Sequence, residues 1–267
     1  MPVVTLDGRR VHWLDQGDAE PALVLLHAFP LDARMWAPQI KALPPRTRVV
    51  APDLLGFGAT DVPDDPAGYS VDAWADQVAG LIDHLGLDPV VLGGLSMGGY
   101  VAFAFVRRHR AALAGLVLAD TRPGPDAPEV AERRRAQARQ VSERGTAELR
   151  ETLLAGLLSE HTQQHRPDVV EAARALTDQP PAGFVGALRA LRSRPDSTPD
   201  LAGIEVPTLV VVGDQDALSP PDVAQTMATA IPDSTLAVLP HAGHLASLEA
   251  PGAFNDALWR YLDRLSR

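Results

Sequence analysis

The sequence predicts an α/β protein: a mostly parallel, twisted sheet with helices on both faces, an N-terminal antiparallel hairpin and an inserted helical cap. Three observations predict it. Short, continuous apolar runs bounded by Gly, Pro and Asp recur along the chain, as strands buried on both faces of a parallel sheet do. Segments of helical period lie between them, so β and α elements alternate. One long stretch, residues 121–200, breaks the alternation and contains no strand-like run.

In chain order, Val3-Val4-Thr5-Leu6 and Val11-His12-Trp13-Leu14 flank Asp7-Gly8, the pattern of a hairpin at a sheet edge. Strand-like runs follow at Leu23–Leu26, Val49–Ala51, Val90–Leu92, Leu116–Ala119, Thr208–Val212 and Leu236–Leu239. Helical period covers Met35–Leu43, Val71–Leu85, Tyr100–Arg108 and Ala253–Leu265. Ser70 suits the N-cap of the second helix and Gly86 its stop. After Thr121 a Pro-rich linker (Pro123, Pro125, Pro128) opens onto about four helices. One carries Leu149, Leu153 and Leu157 on a stripe, another Val169, Ala173 and Leu176, a third Phe184, Leu188 and Leu191. An all-helical insertion between two strands is expected to cover the C-terminal edge of the sheet, where α/β proteins bind ligands. The expected division is a core of 1–120 with 201–267 and a cap of 121–200.

Composition narrows the function. The 267 residues can bury a substantial core. With 24 Lys+Arg against 34 Asp+Glu the net charge is −10, which disfavours a nucleic-acid partner, because phosphate recognition begins with a basic surface. The absence of cysteine excludes disulfides, thiolate nucleophiles and Cys-ligated metals. Met1 to Arg10 lacks the apolar stretch of a signal peptide, and no run approaches the roughly 18 apolar residues of a membrane span. A soluble, cytoplasmic protein is expected, without a membrane partner, as a monomer or homodimer.

The chemistry centres on Gly94-Leu95-Ser96-Met97-Gly98, which follows a strand-like run and precedes a helical one. That is the context in which G-x-S-x-G exposes a serine on a strained strand-to-helix turn with small neighbours two residues away. A serine hydroxyl needs a base, best a histidine poised near neutral pH. His244 lies after the last strand and before the terminal helix, with His241 as its rival. The base needs a carboxylate to hold its tautomer. Gly213-Asp214-Gln215-Asp216 ends a strand and shares the sheet edge with Ser96; Asp216, Asp214 and Asp120 are the candidates.

The order Ser96, Asp216, His244 resembles that of the α/β-hydrolases, and the resemblance runs along the whole chain. It implies Asp216, the last residue of a G-x-x-D pattern, as the acid. It implies an oxyanion hole from the backbone N–H groups of Met97 and Phe29, the latter in His27-Ala28-Phe29-Pro30, where Ala28 replaces the family's usual glycine. His27 is expected to bond loop backbone. Asp53 to Gly58 resembles the family's D-L-R-G-x-G loop, with Leu55 at the arginine position, and is read as scaffold. A serine nucleophile disfavours the dehalogenase and epoxide hydrolase branches, which use Asp. The single lysine, Lys41 on the first helix, disfavours the hydroxynitrile lyases.

Gly93–Phe105, Gly115–Arg122, Arg194–Thr198 and Ala242–Leu245 resemble short-chain bacterial carboxylesterases, particularly thermophilic ones, and also 3-oxoadipate enol-lactonases. The resemblance implies a carboxylesterase that needs no cofactor. The stretch 121–200 carries 12 Arg and 12 Asp+Glu, so the net charge lies on the remainder, and uncharged short-chain esters are the expected substrates. Phe29, Trp36, Met97 and Leu245 are the expected pocket walls. An enol-lactone hydrolase and a non-hydrolytic ligand receptor on the same fold are the alternatives. His161 and His165 are read as a surface pair, not a metal site, and Arg133-Arg134-Arg135 as a solvated helix face flanked by Glu129, Glu132 and Glu143.

Overall fold

The computed structural model describes residues 2–42, 44 and 47–265. Among them the strands are β1 (Val3–Leu6), β2 (Arg9–Gln16), β3 (Leu23–Leu26), β4 (Val49–Pro52), β5 (Val90–Leu95), β6 (Leu113–Ala119), β7 (Thr208–Gly213) and β8 (Ser234–Leu239). The helices are α1 (Ala37–Lys41), α2 (Val71–Leu85), α3 (Met97–His109), α4 (Pro128–Arg144), α5 (Ala147–Leu157), α6 (Glu160–His165), α7 (Pro167–Leu176), α8 (Pro181–Arg192), α9 (Pro221–Ala230), α10 (Ala246–Glu249) and α11 (Pro251–Leu265).

One sheet has the order β1-β2-β4-β3-β5-β6-β7-β8. The hairpin β1–β2 and the β2–β4 pair are antiparallel, and the pairs from β4 through β8 are parallel. The expected strands are all present, each extended by a few residues at most. Their apolar runs divide by parity. Val24 and Leu26 enter one core cluster, Leu23 and Leu25 the other, because successive strand residues point to opposite faces. Helices α2 and α3 cover the first face, and α1 and α11 the second.

Local signals place most boundaries. Ser70 Oγ accepts the Ala73 N–H at 3.0 Å and Gly86 closes α2 at φ +65°. The helix expected over Met35–Leu43 instead divides into a 3-10 turn at Ala33–Trp36 and the short α1, and Leu43 lies outside the described residues. Pro38 explains the break, since a proline fits the first turn of a new helix and cannot donate within a continuing one. Between β6 and β7 lie five helices, α4 to α8, where about four are expected. The extra turn is α6, too short and polar to show a stripe. These helices share the main cores: Val141, Leu149 and Phe184 join one cluster, Leu157, Val169 and Ala173 the other. Among the described residues no helix is long and apolar enough to cross a membrane.

Candidate active site

Sheet order locates the site before any side chain is considered. From β3 the chain adds β4 on one side and β5 on the other, so direction reverses between β3 and β5, and ligands bind at such a switch beyond the C-terminal strand ends. The register aligns those ends: Leu26 pairs with Gly94, Leu95 with Ala119, Ala119 with Val211 and Gly213 with Leu239. The residues that follow each strand, Phe29, Ser96, Asp120, Asp216 and His244, therefore collect at one edge.

Ser96 sits between β5 and α3 at φ +53°, ψ −108°, a conformation L residues rarely adopt. Close packing holds it there. A Cβ on Gly94 would lie 2.2 Å from the Gly98 carbonyl oxygen, and one on Gly98 2.3 Å from that of Leu26. The Ser96 backbone is tied on both sides, its N–H to the Ala119 carbonyl at 2.9 Å and its carbonyl to the Thr121 hydroxyl at 2.9 Å.

Ser96 Oγ lies 2.7 Å from His244 Nε2, and His244 Nδ1 lies 2.8 and 3.0 Å from the two oxygens of Asp216. A carboxylate only accepts, so Nδ1 carries the proton and Nε2 is left to accept from the serine hydroxyl. Both partners are buried, Asp216 at 2% exposure and His244 at 3%. Burial opposes ionisation of Asp216. The adjacent His244 imidazole, through its electrostatic influence and its hydrogen bond, and the backbone N–H groups of Ser219 and Leu218 outweigh it and hold the pKa below its ordinary value. The other candidates lie apart from this chain. Asp214 is exposed, and His241 is exposed on a turn at φ +61°. Asp120 accepts N–H groups from Gly213 and Ala246.

Several supports gave no signal in the sequence. Glu249 is 5% exposed, and its carboxylate accepts the N–H groups of Gly243, Leu245 and Ser159 at 3.0, 3.1 and 2.8 Å. The His244 N–H donates to the Leu157 carbonyl, and Ser159 Oγ to that of His241. The α5–α6 junction thus holds the histidine loop from one side and Glu249 from the other. Nothing in a lone Glu ten residues into a C-terminal segment distinguishes this carboxylate from a surface one.

A cavity of about 120 Å³ opens on Ser96 and His244. Phe29 and Met97, which carry the expected oxyanion donors, line it. Trp36 and Leu245, expected as walls, do not. Trp36 packs on Phe254 beneath the sheet at 1% exposure and Leu245 is wholly buried, because both face the core side of their loops. The walls come instead from the inserted helices: Leu153 and Leu157 of α5, Leu191 of α8, and Val130, Arg133, Arg134 and Gln137 of α4. The arginine run expected as one solvated face is divided. Arg135 and Arg139 pair with Glu132, while Arg133, still exposed as expected, and the half-buried Arg134 also line the cavity.

The remaining expectations concern scaffold. His27 accepts the Leu54 N–H at Nε2 and approaches its own loop's Ala28 carbonyl at Nδ1, and burial lowers its pKa. Asp53 accepts from Ala33 and Ala59 and contacts His12 at 2.6 Å. His161 stacks on His165 and against His241, and among the described residues no group of three His, Asp or Glu is arranged to hold a metal ion.

The family profile described as the alpha/beta hydrolase fold matches residues 21–251. A thermophilic esterase from Thermogutta terrifontis, solved with malate bound, superposes with a TM-score of 0.93 at 42% identity, over 98% of this chain and 97% of that one. The 3-oxoadipate enol-lactonase 2 of Acinetobacter baylyi is 29% identical over 92% of this chain and 90% of its own. The haloalkane dehalogenase 2 of Mycobacterium tuberculosis is 30% identical over 93% and 90%. These relatives differ in reaction and share an architecture, and with the family match spanning most of the sequence, the chain belongs to the α/β-hydrolase family.

Proposed function

We propose that this protein is a serine carboxylesterase for short-chain carboxylic esters, with the 121–200 segment as its cap. The supporting observation is the unbroken hydrogen-bond chain from Asp216 through His244 to a strained Ser96 at the floor of a small cavity. In this reading Ser96 Oγ attacks the ester carbonyl as His244 Nε2 takes its proton. The oxyanion is met by the N–H groups of Phe29 and Met97, and His244 returns the proton to the departing alcohol. Water activated by the same imidazole then releases the acid. Asp216 stays ionised and stabilises the imidazolium. A cavity of about 120 Å³ is far below the roughly 300–1,000 Å³ of sites for drug-sized ligands, which supports small acyl groups. The esterase from Thermogutta terrifontis supports the same reading by similarity.

The second reading is an enol-lactone hydrolase using the same residues; the arginines of α4 at the cavity favour it where the lactone is anionic. A nitrophenyl ester series from acetate to decanoate, run on wild type and Ser96→Ala, tests the proposal. Turnover falling with chain length and dropping at least about 10⁴-fold in Ser96→Ala is expected. No turnover of any ester overturns the esterase reading and returns the ligand-receptor one. Activity that survives Ser96→Ala overturns the mechanism.

A further inference from the structure

Resting on the esterase reading, we propose that Arg122 and Arg133 form a carboxylate-binding subsite beside Ser96, so that the preferred substrates are short esters or lactones carrying a second, ionised carboxylate. Three arginines, Arg122, Arg133 and Arg134, line the cavity together with Ser96 and His244, and no Asp or Glu does. Helical geometry explains why α4 contributes two of them. Val130, Arg133, Arg134 and Gln137 recur at i, i+3, i+4 and i+7 and so share one face, while Glu132, Arg135 and Arg139 fall on another and pair among themselves.

The charges on the cavity side do not cancel. Arg134 pairs with Asp126 at 2.5 Å, but Asp126 also takes Arg194 at 2.6 Å, so one carboxylate serves two guanidinium groups. Among the described residues neither Arg133 nor Arg122 is paired with a carboxylate. Arg122 donates from Nη2 to the carbonyl of Leu218, two residues beyond Asp216, which anchors it on the loop of the triad acid. Its Nε–H is buried and has no acceptor. That nitrogen is closed off from the cavity, so the rest of the guanidinium, which has no carboxylate partner among the described residues, is what faces a ligand, and a carboxylate is the group that best matches it. The expectation of uncharged substrates came from the balance of charge over a whole segment, whereas recognition depends on which side chains reach the cavity.

The test compares esters of matched size on the full-length enzyme: monomethyl glutarate against methyl 4-carbamoylbutanoate, with the charge on the acyl side, and 3-acetoxypropanoate against 3-acetoxypropanamide, with the charge on the alcohol side. In at least one pair the anionic member is expected to be preferred by about tenfold or more in kcat/KM, chiefly through KM, with the preference shrinking as NaCl is added. In Arg122→Gln/Arg133→Gln the ratio is expected to approach one, while Arg135→Gln, on the solvent side of α4, keeps it. Arg133→Gln alone serves if loss of the Arg122 bond impairs folding, and is expected to lower the ratio severalfold. Equal kcat/KM within both pairs, or a ratio unaltered in the arginine variants, overturns the subsite and leaves the esterase reading standing. If no ester is turned over, the esterase reading fails. Calorimetry of the same pairs on Ser96→Ala then decides the subsite: tenfold tighter binding of an anionic member supports it, and equal binding overturns it.

Discussion

At Ser96 the conformation and the proposed chemistry have one cause. The positive φ that lifts the hydroxyl out of the sheet is affordable only where β5, α3 and β3 approach more closely than a Cβ permits, at Gly94 and Gly98. Gly98→Ala is therefore expected to displace the turn, lowering kcat by about 100-fold or more in whatever fraction folds; turnover beside circular dichroism separates the two effects. Asp216→Asn keeps the shape but removes the acceptor that holds the His244 tautomer, and a loss of about 10⁴-fold in kcat is expected. Glu249 acts one step further out, as a positioning residue. Glu249→Ala strands three N–H groups around the histidine loop and is expected to cost at least about 2 kcal/mol in urea unfolding, with kcat falling more than KM rises. The sequence displayed Ser96 because its motif is local. Glu249 stayed hidden because its three partners converge from separate segments.

Among the elements, α4 departs furthest from its sequence reading. Its composition is polar and only Val141 is buried, so the apolar pattern that orients other helices is absent. What orients α4 is its packing on α8 and the buried pairing of Asp126 with Arg134 and Arg194, the last lying 4.2 Å above the Tyr100 ring. Burial raises the pKa of Asp126, and the two arginines more than reverse it. Asp126→Ala leaves Arg194, 6% exposed, without its carboxylate, and a loss of about 3–5 kcal/mol in urea unfolding is expected. The Arg194–Thr198 segment, noticed in the sequence for its resemblance alone, thus has a structural task. By contrast α2 was legible throughout, from Ser70 to Gly86, because caps and stripe are local properties.

For the whole molecule, the sheet concentrates acidic groups at one buried edge, and stability should record it. Asp120 is fully buried; burial first, and then the Asp216 charge, raise its pKa well above the ordinary value despite N–H donors from Gly213 and Ala246. In the unfolded chain it titrates near 3.9, so over the interval from there to its folded value the unfolded state ionises first. Its contribution is fully present below that interval and is lost as pH rises through it. Asp120→Asn, which does not titrate, should gain stability relative to wild type across that interval, measured by urea unfolding at a series of pH values; a constant difference would refute the linkage.

Legible in the sequence were the alternation of strands and helices, the helical stretch between β6 and β7 and the turn that carries Ser96, because each depends on periodicity or on residues adjacent in the chain. The sequence left Asp120, Asp214 and His241 open as rivals, and it misplaced Trp36 and Leu245 as walls. Which carboxylate meets His244, and that Ser96 lies on its other side, came from the folded chain alone, since these contacts join segments 28 and 148 residues apart, and the inward face of α4 follows from its packing on α8. Proximity in three dimensions comes from sheet order and register, and no local pattern encodes it.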